Sequence, residues 1–191
     1  MYLKQTIKPV SEQVPLETLK EHLRLPLSYT AEDGMLNIYL NAAAKVAEDR
    51  TNRQLLESTW TFKCDRFPEK FVINKTPLIA VDSIKYTDGT GLEQTLNASQ
   101  YIVNAQAEPF EITPAYGLSW PTTRLQANAV AVTFRAGYIS AEEIPSNIIA
   151  GMLLIVDDLF KNRGSIVIGR LVSNIPMTAE SLFSTERVAV L

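Results

Sequence analysis

The strongest hydrophobic pattern in the chain runs through residues 145–164. Ile149, Met152, Leu153, Val156, Leu159 and Phe160 recur at helical spacing and form one wide face, which Ile148 and Ile155 broaden until most of the circumference is apolar. Pro145 suits the first turn, where a missing N–H costs nothing. Lys161 and Arg163 oppose the negative end of the helix dipole, and Gly164 permits a left-handed stop. The pattern predicts a core helix of about five turns. Charge-free residues run only from Ile144 to Val156, short of the roughly 20 needed to cross a bilayer. Asn147, Gly151, Leu154 and Asp158 fall on the remaining side, which a second surface is expected to cover, another copy of the chain being one source.

Two further helices precede it. Leu16, Leu19 and Leu23 share a face behind Pro15, and Leu36, Tyr39, Leu40, Ala43, Val46 and Ala47 share another behind Thr30-Ala31-Glu32-Asp33, which reads as a helix start. The run Ala42-Ala43-Ala44 would let the 145–164 helix approach closely. From Leu56 the period changes to two. Trp60, Phe62 and Cys64 alternate within Thr59–Asp65, and further strand-like runs occupy 70–74, 81–87, 100–104 and 129–135. Asp88-Gly89-Thr90-Gly91 reads as a hairpin turn, not a phosphate cradle, because it lacks the required glycine spacing and opens no helix. The first dozen residues read as an extended arm. Ser165–Val172 reads as a strand or an ordered arm, and Pro176–Phe183 as a short last helix that docks on something.

Helical outer segments around a β middle, without β-α-β alternation, give an α+β fold. Residues 1–55 form the N-terminal helical part, 56–139 an inserted antiparallel β lobe, and 140–191 the central helix and C-terminal arm packing with 1–55.

Composition narrows the function. The net charge is −3, so the field of the whole protein does not recruit nucleic acid. The acidic excess is largest in residues 140–191, with four Lys/Arg against six Asp/Glu. Lys45 is the only basic residue in the body of the second helix, a poor basis for a DNA-reading helix. Cys64 stands alone, which excludes an intramolecular disulfide or a cysteine zinc cluster and fits a reducing compartment. The first residues lack an apolar signal-peptide core, so a cytoplasmic place of synthesis is expected. His22 has no ligand or base partner at useful spacing. Asp157 and Asp158 diverge by ~100° around the helix and cannot clasp one metal from the same face. An enzyme would need a constellation of distant residues such as Asp65, Asp82 and Glu111. No catalytic residue, metal or cofactor is therefore expected. The loop Pro114–Arg124 is the most individual: Tyr116 and Trp120 either anchor a partner or lid the β core, and as a pair they would form the platform of a ligand- or carbohydrate-binding module.

Several stretches, in order, resemble the head–tail connector proteins of tailed bacteriophages and prophages, also called adaptor or head-completion proteins. They are Leu19–Arg24, the helix from Leu40-Asn41-Ala42-Ala43-Ala44 to Leu55, and Thr59-Trp60. The series continues with the Tyr116-Gly117 and Trp120-Pro121 loop, Asn128–Val132 with Ala136-Gly137-Tyr138, and Ile144-Pro145 through Arg163. The resemblance implies a ring of identical subunits at the head–tail junction of the virion. Such a ring attaches beneath the portal protein, extends the DNA channel without sequence-specific binding and receives tail-side completion proteins. It involves no membrane. On that reading Asn147, Gly151, Leu154 and Asp158 are expected at the subunit interface. Ile175, Met177, Leu182, Phe183 and Arg187 are expected on the portal, with the arm 175–191 dispensable for folding.

Overall fold

The computed structural model describes residues 2–7, 13–162 and 176–189. Among these are four helices and two antiparallel sheets, an α+β fold. They divide into two compact units, one holding the first residues with Leu56–Ile139 and the other holding the stretch up to Leu55 with Ser140–Val188.

The β unit is built from two sheets. The larger has the order β1-β2-β8-β4-β5 and the smaller β3-β7-β6. β1 is Tyr2–Ile7, β2 Ser58–Cys64, β3 Phe71–Ile73, β4 Leu78–Thr87, β5 Glu93–Thr95, β6 Tyr101–Asn104, β7 Phe110–Pro114 and β8 Val130–Ala136. β8 is the central strand, pairing Trp60 with Phe134 on one side and Ile84 with Val132 on the other. Its Val130, Val132, Phe134 and Ala136 point to the core, while Ala131, Thr133 and Arg135 face outward, as a strand with one buried face requires. Phe71, Ile73, Phe110 and Ile112 from the small sheet complete that core. Gly137 follows β8 with φ +122, and a Cβ there would run into the Leu56 backbone, so only glycine fits the crossing.

The first residues are not a free arm. β1 is an edge strand on β2, with Leu3 opposite Phe62. Tyr2 and Leu3 stand side by side and break any period of two, and the partner lies more than fifty residues away. β5 and β7 were equally invisible as strands, although Phe110 and Ile112 do alternate with Glu111 and Thr113.

The helical unit comprises α1 (Leu16–His22), α2 (Asp33–Thr51), α3 (Ser146–Lys161) and α4 (Met177–Thr185). α2, α3 and α4 pack on one another. Leu36, Leu40, Ala43, Ala44 and Ala47 form the buried face of α2, so two of the three consecutive alanines serve close approach as the pattern requires. Asp33 opens α2 without a side-chain cap. Its carboxylate instead holds the ammonium of Lys20 at 2.8 Å, and Lys20 also donates to the Leu27 carbonyl. Lys20 is almost wholly buried, and a charge in that position requires such a partner. Asn52, in the left-handed conformation at φ 58, ends α2. α3 closes at Lys161 and Asn162. The expected stop at Gly164 and the Ser165–Val172 segment lie outside the described residues.

Candidate functional site

The Pro114–Arg124 loop separates its two aromatics. Trp120 stacks on Phe67 with ring centres 4.9 Å apart and planes 9° from parallel, and it meets Phe71 edge-on at 5.5 Å. Its indole N–H donates to the Glu69 carbonyl. Trp120 is therefore a lid on the β core. Tyr116, beside Gly117 at φ +75, is fully exposed. The two do not form one platform, so the paired-aromatic arrangement required of a carbohydrate site is absent. Tyr116 alone remains available for a contact.

The hairpin turn is held by one carboxylate. Asp88 accepts from the Thr90 and Leu92 amides and the Thr90 hydroxyl through Oδ1, and from the Gln94 amide through Oδ2. These donors, the Thr90 hydroxyl foremost, hold its pKa far below the ordinary carboxylate value. The turn is structural.

No catalytic constellation assembles among the described residues. Asp65 accepts from the Asn128 amide at 2.8 Å, Asp82 pairs with Arg135 at 3.1 Å, and Glu111 pairs with Lys70 at 2.6 Å. Each of the three carboxylates thus serves its own local contact. Arg135, held between Glu57 and Asp82, has its guanidinium pKa raised, first by the hydrogen bond to Glu57. Cys64 is buried, and burial pushes its thiol pKa up, the opposite of what a nucleophile needs. Among the described residues no group of His, Cys, Asp and Glu could hold a metal ion, and no helix is long and apolar enough to cross a membrane.

The free side of α3 has a definite occupant. A Cβ on Gly151 would lie 2.5 Å from Cε1 of Phe183 and 2.8 Å from its Cζ, so α4 packs directly on the glycine. The Asn147 amide donates to the Thr185 hydroxyl and to Glu186. Gly151 and Asn147, expected at a subunit interface, are thus engaged by the chain's own last helix. Leu154 is half-buried, and Asp158, which accepts from the Asn162 amide, is exposed. Asp157 pairs with Lys161 at 2.7 Å.

The expected portal residues also divide. Phe183 is 1% exposed and belongs to the helical core with Ala179 and Val188. Met177 and Arg187 are exposed and Leu182 is half-buried, while Ile175 lies outside the described residues. The segment after α4 is fastened to the end of α2. The Val188 amide donates to the Thr51 carbonyl, the Asn52 amide to the Val188 carbonyl and the Arg53 guanidinium to the Glu186 carbonyl. Phe183 and Val188 of this arm are part of the helical core, so its removal is expected to destabilise the helical unit and not, as the sequence reading has it, to spare folding. Apolar residues too few to hold a lone helix imply that the arm docks, but the docking site is made by long-range contacts that no local pattern encodes.

The outer side of α2 carries apolar residues beyond the single buried face that the sequence pattern predicts. Met35 and Ile38 are exposed there, and so is Leu27 in the preceding loop. The signal was present: three and four residues apart, Met35, Ile38 and Ala42 form a second stripe.

Comparison with known proteins completes the description. Among curated proteins none matches the chain. Three solved structures share the fold across the whole chain and 97% of their own. They are a chain from the neck of an empty gene transfer agent particle computed with C6 symmetry (TM-score 0.81, 21% identity), one from the virion of a native gene transfer agent particle (0.78, 20%), and one from the neck of a native particle computed with C12 symmetry (0.77, 19%). Residues 14–115, more than half of the chain, match the model of the phage gp6-like head-tail connector protein family. The chain accordingly belongs to that family, and it is a structural connector whose place is the head–tail junction of a virion.

Proposed function

We propose that the protein works as one subunit of a closed ring, attached beneath the portal protein, that continues the DNA channel toward the tail and receives tail-side completion proteins. Its work is assembly by geometry and involves no catalysis. The observation that carries this reading is the family match over residues 14–115, joined to a likeness to neck chains that extends over 100% of the chain. A ring follows physically when a head-to-tail contact repeats with a rotation that closes. DNA passes without sequence-specific binding, in keeping with the net charge of −3, because it is phosphate contacts from Lys and Arg that make DNA stick. The portal-facing residues are Met177, Leu182 and Arg187, on and just after α4; Phe183 has its partner within the chain. Leu154 and Asp158 remain candidates for contact between copies.

The test is the mass of the purified protein by light scattering across concentration, with negative-stain imaging of the largest species. A closed ring with a central hole is the expected result. A monomer at every concentration would overturn self-assembly into a ring.

A further inference from the structure

The helical unit carries two unlike apolar surfaces. One is convex: Met35, Ile38 and Ala42 line the side of α2 turned nearly opposite its buried face, and Leu27 and Tyr29 are exposed in the loop that leads into it. Ile38 is 60% and Leu27 54% exposed. The stripe ends where Lys45 and Asp49 pair on the same side at 2.8 Å, so the apolar character is confined to the first half of the helix. The other surface is concave. A cavity of about 450 Å3 opens between the start of α1 and the start of α3, lined by Val14, Pro15, Thr18, Ala141 and Ile149, with Glu142 among its polar members.

We infer that these two surfaces are the two halves of the contact between neighbouring subunits, the α2 stripe of one copy seating in the α1–α3 cavity of the next. The inference rests on the ring reading and names its interface. Three observations select a second copy as the occupant. A repeating head-to-tail contact needs two different, complementary patches on every subunit, and a ridge and a hollow on one compact helical unit meet that need. Both are apolar, so joining them removes from water the stripe that α2 otherwise leaves exposed. Their charges are also complementary. Arg24 is exposed in the loop that carries Leu27 and Tyr29, Glu142 is exposed at the cavity, and neither has a charged partner in the described part of its own chain.

The experiment blocks each half separately. Ile38→Arg places a charge on the stripe, and Thr18→Trp fills the cavity from an exposed position of α1. Both sites are solvent-accessible, and circular dichroism confirms that each variant keeps its helix content. Mass is then read by light scattering for wild type, for each variant and for their equimolar mixture. The expected result is a ring for wild type, a monomer for each variant alone, and a one-to-one dimer for the mixture, since each variant retains the half that the other has lost. A ring formed by either variant alone would overturn the inference and leave the ring reading intact. Two monomeric variants that fail to pair when mixed would exclude a contact between these two surfaces. A monomeric wild type would overturn self-assembly into a ring, and with it self-assembly through this contact.

Discussion

The contact between Gly151 and Phe183 allows the docking of α4 to be measured by a change of sign. Gly151→Ala has two opposed effects. Alanine favours a helix interior over glycine by about 1 kcal/mol. Against this, its Cβ would lie 2.5 Å from an aromatic carbon that is itself buried and cannot swing aside, and overpacking of this kind costs about 1–3 kcal/mol. The crowding wins, and the substitution should destabilise the helical unit by about 1 kcal/mol. Phe183→Leu removes Cε1 and Cζ, the two atoms nearest the added methyl, while keeping an apolar side chain; alone it should cost about 1–3 kcal/mol. In that background Gly151→Ala should become stabilising by nearly the full helix-propensity difference of about 1 kcal/mol. The assay is urea unfolding of the four proteins followed by the helical far-ultraviolet signal, because both tryptophans, Trp60 and Trp120, lie in the β unit and report on that unit instead. If Gly151→Ala costs the same in both backgrounds to within about 0.5 kcal/mol, the two sites are independent and the α3–α4 packing described above is wrong.

Two further outcomes are expected in the β unit. Trp120→Ala loses the Phe67 stack, the Phe71 contact and the bond to Glu69, and should destabilise the unit by about 2–3 kcal/mol, whereas Tyr116→Ala should change it by less than about 0.5 kcal/mol; Trp60 fluorescence during urea unfolding distinguishes them, and equal effects would contradict the lid assignment. The depressed pKa of Asp88 means that its carboxylate contributes stability in full above the unfolded value near ~4 and loses that contribution as the pH falls through the lower folded value. An NMR titration of its carboxyl carbon should therefore show a midpoint below the ordinary range, moving upward most in Thr90→Val and less in Gln94→Ala; a midpoint indifferent to Thr90 would remove the hydroxyl as the principal cause.

The legible parts of the fold were those in which local periodicity and long-range packing agree. α3 is apolar nearly all round, and β2 and β8 alternate over seven residues each, long enough for a period to emerge, whereas β4, with two register shifts, alternates only in its second half. β1 and β5 escaped because neither carries an alternation of its own: Glu93–Thr95 holds no apolar residue, Tyr2 and Leu3 stand side by side, and both strands take their conformation from the neighbour they join. Trp120 and Tyr116 occupy one loop and share a chemical type, yet one is a core lid and the other fully exposed. Their different fates depend on Phe67 and Phe71, which lie some fifty residues earlier in the chain.

The side of α3 carrying Asn147 and Gly151 poses the same problem at the level of assembly. Hydrophobic burial is proportional to area and indifferent to which chain supplies the covering surface, so a stripe in the sequence announces that it will be covered without naming the cover. Glycine sharpened the question: at Gly151 it marks the place where another element comes within contact distance of the helix backbone. That element proved to be Phe183 of the same chain. Once α4 occupies this side of α3, the apolar area still open on the helical unit lies elsewhere, along Met35 and Ile38 of α2. A helix with one apolar side buried within its own subunit and a second left facing water is built for two neighbours, and in a head–tail connector the second neighbour is where the search for subunit contacts belongs.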